Sequence, residues 1–280
     1  MRHLRFPAAM AVLLLTGFGI SRPLLAEEAA GPKKLSITTS VTPREVRDYR
    51  IDAVVKGKAV VPDSAQPVDL DATFLLKVRH QYSRREGDGL LPLEISLLEG
   101  QVAIQKQKLQ ITPSIYPKLT VLIDRDWRIS DIFGLSSDRI AQTFPGISYG
   151  NHIILFYLQG GEQPRAPGDK WECSAKIPSF GETYNFANTL VGERTIDGVR
   201  AAIVRQEIVR PPKDDAQGQS TAMKATTESD FAISDGRLLK SHIECDVTFA
   251  RKSSSEGKST SRQDNTASRA NIKIDISLVK

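Results

Sequence analysis

The chain has 280 residues, 40% of them hydrophobic, 25% charged and 6% aromatic. That length can bury a large core in one domain or two modest ones. The composition excludes a disordered chain, a polytopic membrane protein and a collagen-like fibre. Lysine and arginine outnumber aspartate and glutamate by 38 to 33, a net charge of +5.

Residues 1–26 read as a secretory signal peptide. Arg2 and Arg5 form a basic start, an apolar stretch runs from Ala8 to Ile20, and the small Ala26 precedes Glu27. The apolar stretch is short and broken for a membrane span. Cleavage near Ala26 predicts a periplasmic or secreted protein with no transmembrane segment in its mature chain. Residues 1–26 carry three basic side chains and no acidic one, which leaves 35 basic against 33 acidic residues, a net of +2. A mature chain so nearly neutral has no nucleic-acid signature. Residues 27–34 read as a flexible N-terminus, and 35–280 as one β-rich domain. An alternative division is two β subdomains, 35–135 and 170–280, joined by a helical segment at 136–159.

Period-2 alternation dominates from there. Tyr49, Ile51, Ala53 and Val55 share one face of a strand. In Val68–Arg79 the even positions, including Phe74, Leu76 and Val78, are apolar, and the odd ones are mostly charged or polar. Such one-sided strands fit an antiparallel sheet with one wet face. Glu99-Gly100 reads as a turn between Leu91–Leu98 and Gln101–Thr112. Within the latter, a bulge or bend near Lys106–Lys108 would reconcile two apolar phases. Leu119, Val121 and Ile123 begin another strand.

The middle differs. Ser136–Phe144 predicts a helix stopped by Pro145-Gly146. Ser148 caps a second, running to Gln159 through Ile153-Ile154-Leu155-Phe156-Tyr157-Leu158, a run that a buried strand would also fit. Gly160–Lys170 reads as a linker. Asp197-Gly198 and Asp235-Gly236 are two-residue hairpin signals between β-rich runs. Pro211–Ser220 and Lys252–Asp264 read as polar loop tips. Arg269–Leu278 is a final alternating strand.

Chemistry-bearing motifs are few. The sequence holds no nucleophile elbow, zinc-binding His pair, phosphate loop or dinucleotide fingerprint. His80, His152 and His242 stand far apart. Asp124, Asp126 and Asp131 read as a polar turn around Trp127. No catalytic residue, cofactor or metal site is implied. Cys173 and Cys245 lie in phase with apolar neighbours on alternating strands, and an oxidising compartment permits a disulfide between them. They are either bridged or separately buried.

Gly168-Asp169-Lys170-Trp171 before a strand, then Asp197-Gly198-Val199-Arg200-Ala201, then Phe231–Ser241, make a pattern that resembles uncharacterised bacterial exported proteins. More loosely, it resembles the half-barrel of the LolA and LolB lipoprotein carriers. The resemblance covers roughly Lys118–Val279 and rests on hairpin grammar. It implies a mainly β fold with a small helical part, a curved antiparallel half-barrel or barrel-like sheet covered by one or two helices.

Two functions follow. The first is a non-catalytic envelope protein that binds a lipid-like or other apolar ligand, with Phe74, Leu76, Val78, Ile153, Ile154, Tyr157 and Leu158 as lining or lid. The second is a structural or protein-interaction module of the cell envelope, with a filled core and an envelope protein as partner.

Overall fold

A computed structural model describes residues 34–59, 68–85, 87, 89–104, 107–116, 118–125, 127–134, 153–161, 163–178, 181–214, 219–251 and 268–279. The signal-peptide reading, the whole of the first expected helix (136–144), the start of the second (148–152) with His152, Asp126 and the loop 252–264 lie outside these residues.

The alternating segments form twelve strands: β1 (Val46–Ala59), β2 (Val68–Tyr82), β3 (Leu91–Ile104), β4 (Gln107–Gln110), β5 (Leu119–Ile123), β6 (Ile129–Phe133), β7 (Lys170–Ile177), β8 (Glu182–Ile196), β9 (Val199–Asp214), β10 (Gln219–Ala232), β11 (Leu238–Arg251) and β12 (Ser268–Val279). They make one antiparallel sheet in the order β6-β5-β3-β2-β1-β12-β11-β10-β9-β8-β7, with β4 paired to β3 off that path. The two edge strands, β6 and β7, come together without ladder pairing, so the eleven strands curl into a nearly closed barrel. Pairing of β1 with β12, from Asp48↔Val279 to Lys58↔Arg269, joins the first half of the chain to the last.

One face of each strand supplies the interior. Tyr49, Ile51 and Val55 of β1, Leu76 and Val78 of β2, Leu91, Leu93 and Ile95 of β3, and Ile272, Ile274 and Ile276 of β12 are buried in one core. The opposite face carries charge. Arg79 gives Nε and Nη2 to the two carboxylate oxygens of Asp48 at 2.8 and 2.9 Å, Lys273 Nζ donates to Glu244 at 2.7 Å, and His242 Nδ1 meets Asp275 at 2.7 Å. Exposed cross-strand pairs of this kind contribute little each, about 0–1 kcal/mol. Their consequence is a wet exterior, unlike the apolar outer band of a membrane-spanning barrel.

The structure corrects several expectations. Among the described residues no α-helical element covers the sheet. Of the second expected helix only 153–159 are described: Ile153 is α-helical (φ −61°, ψ −37°), Ile154–Phe156 form one 3-10 turn, and Tyr157 is already extended (φ −122°, ψ 132°), so helix ends short of Gln159. Glu99-Gly100 is not a turn. β3 runs straight through it, with a register shift opposite Lys77/Val78. The chain instead reverses between Ile104 and Gln107, which pair across β3 and β4, so of the bulge or bend expected near Lys106–Lys108 it is the bend, a full reversal, that marks the change of apolar phase. Asp197-Gly198 does form the tight hairpin, both residues at positive φ (50° and 84°). The β10–β11 loop is longer than its Asp-Gly signal implies, spanning 233–237. Its backbone is engaged from outside: Ile233 N donates to Arg200 O, and Thr38 N to Ile233 O, each at 3.0 Å. Strand β9 continues through Pro211-Pro212 to Asp214.

Gly57 marks the closest approach of β1 to β12. A Cβ there would lie 2.2 Å from Arg269 O and 2.7 Å from Ala270 Cα, both backbone atoms. A side chain must therefore push the seam between the chain's two halves apart. Gly57→Ala is expected to destabilise by about 1–3 kcal/mol in urea unfolding. Gly192→Ala, at a site with nothing within 4 Å of the new Cβ, is expected to be near neutral. Equal effects would show that Gly57 is not a packing constraint.

Candidate ligand-binding interior

At one end of the barrel, where the β5–β6 and β10–β11 loops lie, Ile153–Gln159 enters the interior and all seven residues are buried. Ile153, Ile154, Tyr157 and Leu158 join the core that includes Leu76 and Val78, with Phe74 packed against it and half-buried. The anchor is aromatic. Phe156 meets Tyr49 edge-on, ring centroids 5.0 Å apart, and His80 at 4.7 Å. Tyr157 Oη shares a hydrogen bond with His80 Nδ1 at 3.0 Å. The Arg47 guanidinium lies 4.9 Å from the centre of the Tyr82 ring. Burial raises the Tyr49, Tyr82 and Tyr157 phenols above their ordinary pKa, so they stay neutral. A cavity of about 10 Å³ among Arg47, Tyr49, Tyr82, Phe156, Tyr157 and Leu238 has room for one water at most. This end is plugged by Ile153–Leu158, which are buried in the core.

Burial is less complete in a patch midway along the bore. Leu93, Val78 and Ile123 near the plug are 0% exposed. Ala53, Ile272 and Ile274 are 8% and Val102 9% exposed, and Leu70, Phe74 and Ile104 are half-buried. These residues are contiguous. Phe74 stands opposite Ala53 on one side and Val102 on the other, and Ala53 stands opposite Ile274.

The inner face of β7–β11 is not uniformly apolar. Asn188, Gln206, Thr227, Ser229 and Ser241 point inward and are buried. Gln206 Nε2 donates to Asn188 Oδ1 at 2.8 Å, Thr227 Oγ1 to Gln206 Oε1 at 3.3 Å, and Ser229 and Ser241 hydroxyls share a bond of 2.8 Å. Cys173 Sγ and Trp171 Nε1 both donate to Gln159 O, at 3.4 and 3.1 Å, tying the plug to this polar row. Nearer the other end Arg210, 4% exposed, donates Nη1 to Glu182 Oε1 at 2.6 Å, while the Tyr184 hydroxyl donates to Glu182 Oε2. Residues of this row and corner stand in the inward phase of their strands, as in Val204-Arg205-Gln206-Glu207-Ile208-Val209-Arg210. That phase is the signal from which the sequence could have disclosed them.

Of the two alternatives for the cysteines, the structure has the unbridged one. Cys173 on β7 and Cys245 on β11 are both free. Asp124 forms a turn, its Oδ1 accepting the Arg128 amide at 2.8 Å. His80 and His242 stay apart, the first in the aromatic plug and the second on the charged exterior.

No family model matches the chain, and no curated protein matches it. Solved structures give low-scoring likenesses. A lipovitellin structure, titled for its lipid–protein interactions, aligns with 86% of this chain at 9% identity and a TM-score of 0.44. This chain spans about a quarter of that one, 26%. A DUF1329 family protein from Desulfovibrio piger aligns over 82% of this chain and 83% of its own at 12% identity, TM-score 0.16. OmpF of Salmonella typhi in complex with daunomycin aligns over 84% and 97% at 8% identity, TM-score 0.20. At these scores the likenesses assign no family and no function, and a specific similarity to LolA and LolB is not shown.

Leu158→Ala is expected to cost about 2–5 kcal/mol, the range for emptying a tightly packed site. Tyr157→Phe, which strips one partner from a buried bond to His80, should cost about 1–3 kcal/mol. Urea unfolding of both variants checks this, and wild-type stability would show that the segment is not core. Burial also pushes the Cys245 thiol up to about 12, with Asp246 adding to the effect. Since the thiolate is the nucleophile, iodoacetamide at pH 8 should leave Cys245 unmodified in the native protein and label it in urea.

Proposed function

We propose that the protein is an exported, non-catalytic carrier or receptor that binds an apolar or lipid-like ligand within the barrel. The observation that carries this reading is the contiguous incompletely buried apolar patch of Val102, Phe74, Ala53 and Ile274 on the inner face, beyond the plugged end. About eight strands already give a bore that side chains can just fill. Eleven enclose more, and the small Ala53 stands in this patch between Phe74 and Ile274. Ligand sites are concave and mostly apolar with few polar groups, which matches this face bordered by the buried polar row. Export rests on the reading of residues 1–26.

A filled, structural core is the second reading, and the packed aromatic end with its one-water cavity favours it. Uptake separates the two. Native mass spectrometry of gently purified protein should show a retained ligand mass, and an uncharged apolar dye should bind and be displaced by acyl chains. Ala53→Phe, which fills the patch, should lower dye affinity at least tenfold while the protein keeps its β circular dichroism. A ligand-free wild type that takes up neither dye nor acyl chains would establish the filled core instead.

A further inference from the structure

We infer that Arg210 is the head-group site of the interior, and that the ligand is a long-chain monocarboxylate whose carboxylate pairs with the Nε–Nη2 edge of this guanidinium. The inference rests on the ligand-binding reading and names the ligand's chemistry.

Arg210 lies in the inward phase of β9, opposite Met223 of β10, and is 4% exposed. Nη1 is taken by Glu182, and the Tyr184 hydroxyl lies beside the guanidinium. Nε and Nη2 are buried and have no hydrogen-bond partner. Buried donors are rarely left unpaired, and a charged one least of all. The vacant pair of donors is also a specific one. Arg79 grips Asp48 with Nε and Nη2, and Arg194 grips Asp230 with the same two atoms, at 2.6 and 2.5 Å. Arg210 thus presents, unfilled, the edge that this protein elsewhere gives to carboxylates. Two parallel N–H groups match two carboxylate oxygens, whereas an alcohol or an ester carbonyl offers one. Glu182 already balances the guanidinium, so a monoanion leaves the corner with one net negative charge and a dianionic phosphate leaves two. Carboxylate is therefore the better fit.

The surroundings suit an acyl tail. Met223 opposite Arg210 is followed across the sheet by Val247 and Ala270. The next inward row is Ile208, Ala225, Cys245 and Ile272. Three ladder spacings from β9 to β12, about 14 Å along the sheet, bring an extended chain to Ile272 and Ile274, where burial is incomplete.

The test uses four probes on the purified protein: dodecanoate, 1-dodecanol, dodecyl phosphate and acetate, each displacing an uncharged apolar dye, with calorimetry for direct affinity. Wild type should bind dodecanoate at least tenfold tighter than dodecanol and tighter than dodecyl phosphate, with acetate inactive. Arg210→Met paired with Glu182→Gln, which avoids leaving a buried carboxylate alone, should erase the preference for dodecanoate and leave dodecanol and dye affinities within about twofold. Arg210→Lys, which keeps the charge but loses the edge, should retain only part of the preference. Unfolding curves confirm that the variants fold. Equal binding of acid and alcohol by wild type, or an unchanged preference in the double variant, overturns the role of Arg210 and leaves the ligand-binding reading standing. Tighter binding of dodecyl phosphate overturns the carboxylate assignment. Failure of every probe, dye included, overturns the ligand-binding reading itself.

Discussion

The one-sided distribution of apolar residues along long strands is the constraint from which the architecture follows. A flat sheet of eleven such strands would leave a whole face of isoleucine, leucine and valine in water, each large side chain costing roughly 1.5–3 kcal/mol relative to burial. Right-handed strand twist lets the sheet turn that face inward until β6 meets β7. Ladder pairing of β1 with β12 makes the turn continuous through both ends of the described chain. Closure then creates a second problem, an interior wider than strand side chains occupy. Ile153–Leu158 answers it at one end by entering the bore and packing on Tyr49, His80 and the adjoining strands.

The strands were legible because alternation is a local property. Tyr49, Ile51, Ala53 and Val55, or Ile272, Ile274 and Ile276, declare their shared face without reference to anything distant. The tight Asp197-Gly198 reversal was legible for the same reason, since positive φ at both residues is a local demand that Asp-Gly meets. Ile153–Leu158 was not, because an unbroken apolar run states burial and nothing about period. Its conformation follows from the shape of the space it fills. Glu99-Gly100 misled because glycine also serves a strand where backbones crowd: a Cβ at Gly100 would come within 2.9 Å of Ile111 Cβ. The candidate site was legible only in its apolar part. Phe74, Leu76 and Val78 could be read as inward-facing. Gln206, Arg210, Ser229 and Ser241 interrupt the apolar phase and look like its weakening until the register sets them side by side.

Charge is partitioned as strictly as apolarity. The outer face pairs its ions across strands in water, where Asp48 is held below the ordinary carboxylate range by its bond to Arg79. That contribution is present above the unfolded carboxyl pKa and is lost as pH falls through the lowered folded value. It is small because the pair is partly solvated. Asp230 differs: only 1% exposed, it depends on half-exposed Arg194, so removing the arginine would strand a buried charge.

Within the bore, buried polar groups fall into two kinds, and the difference bears on what the interior is for. Asn188, Gln206 and Thr227 form one connected row, and Ser229 pairs with Ser241. A satisfied network of this sort rigidifies and specifies a core, and it gains nothing from a visitor. Arg210 is bonded on one side only. Folding has buried its other edge without giving it a protein partner, a cost that a purely structural interior would avoid with an apolar residue of similar length, such as the methionine already opposite it. An unfilled donor pair held in place by Glu182, beside an apolar face that is incompletely buried, is what a preorganised recognition site requires. The polar interior therefore divides by bonding: the connected row is satisfied and holds the barrel's shape, and the half-bonded arginine is where the proposed ligand would meet the protein.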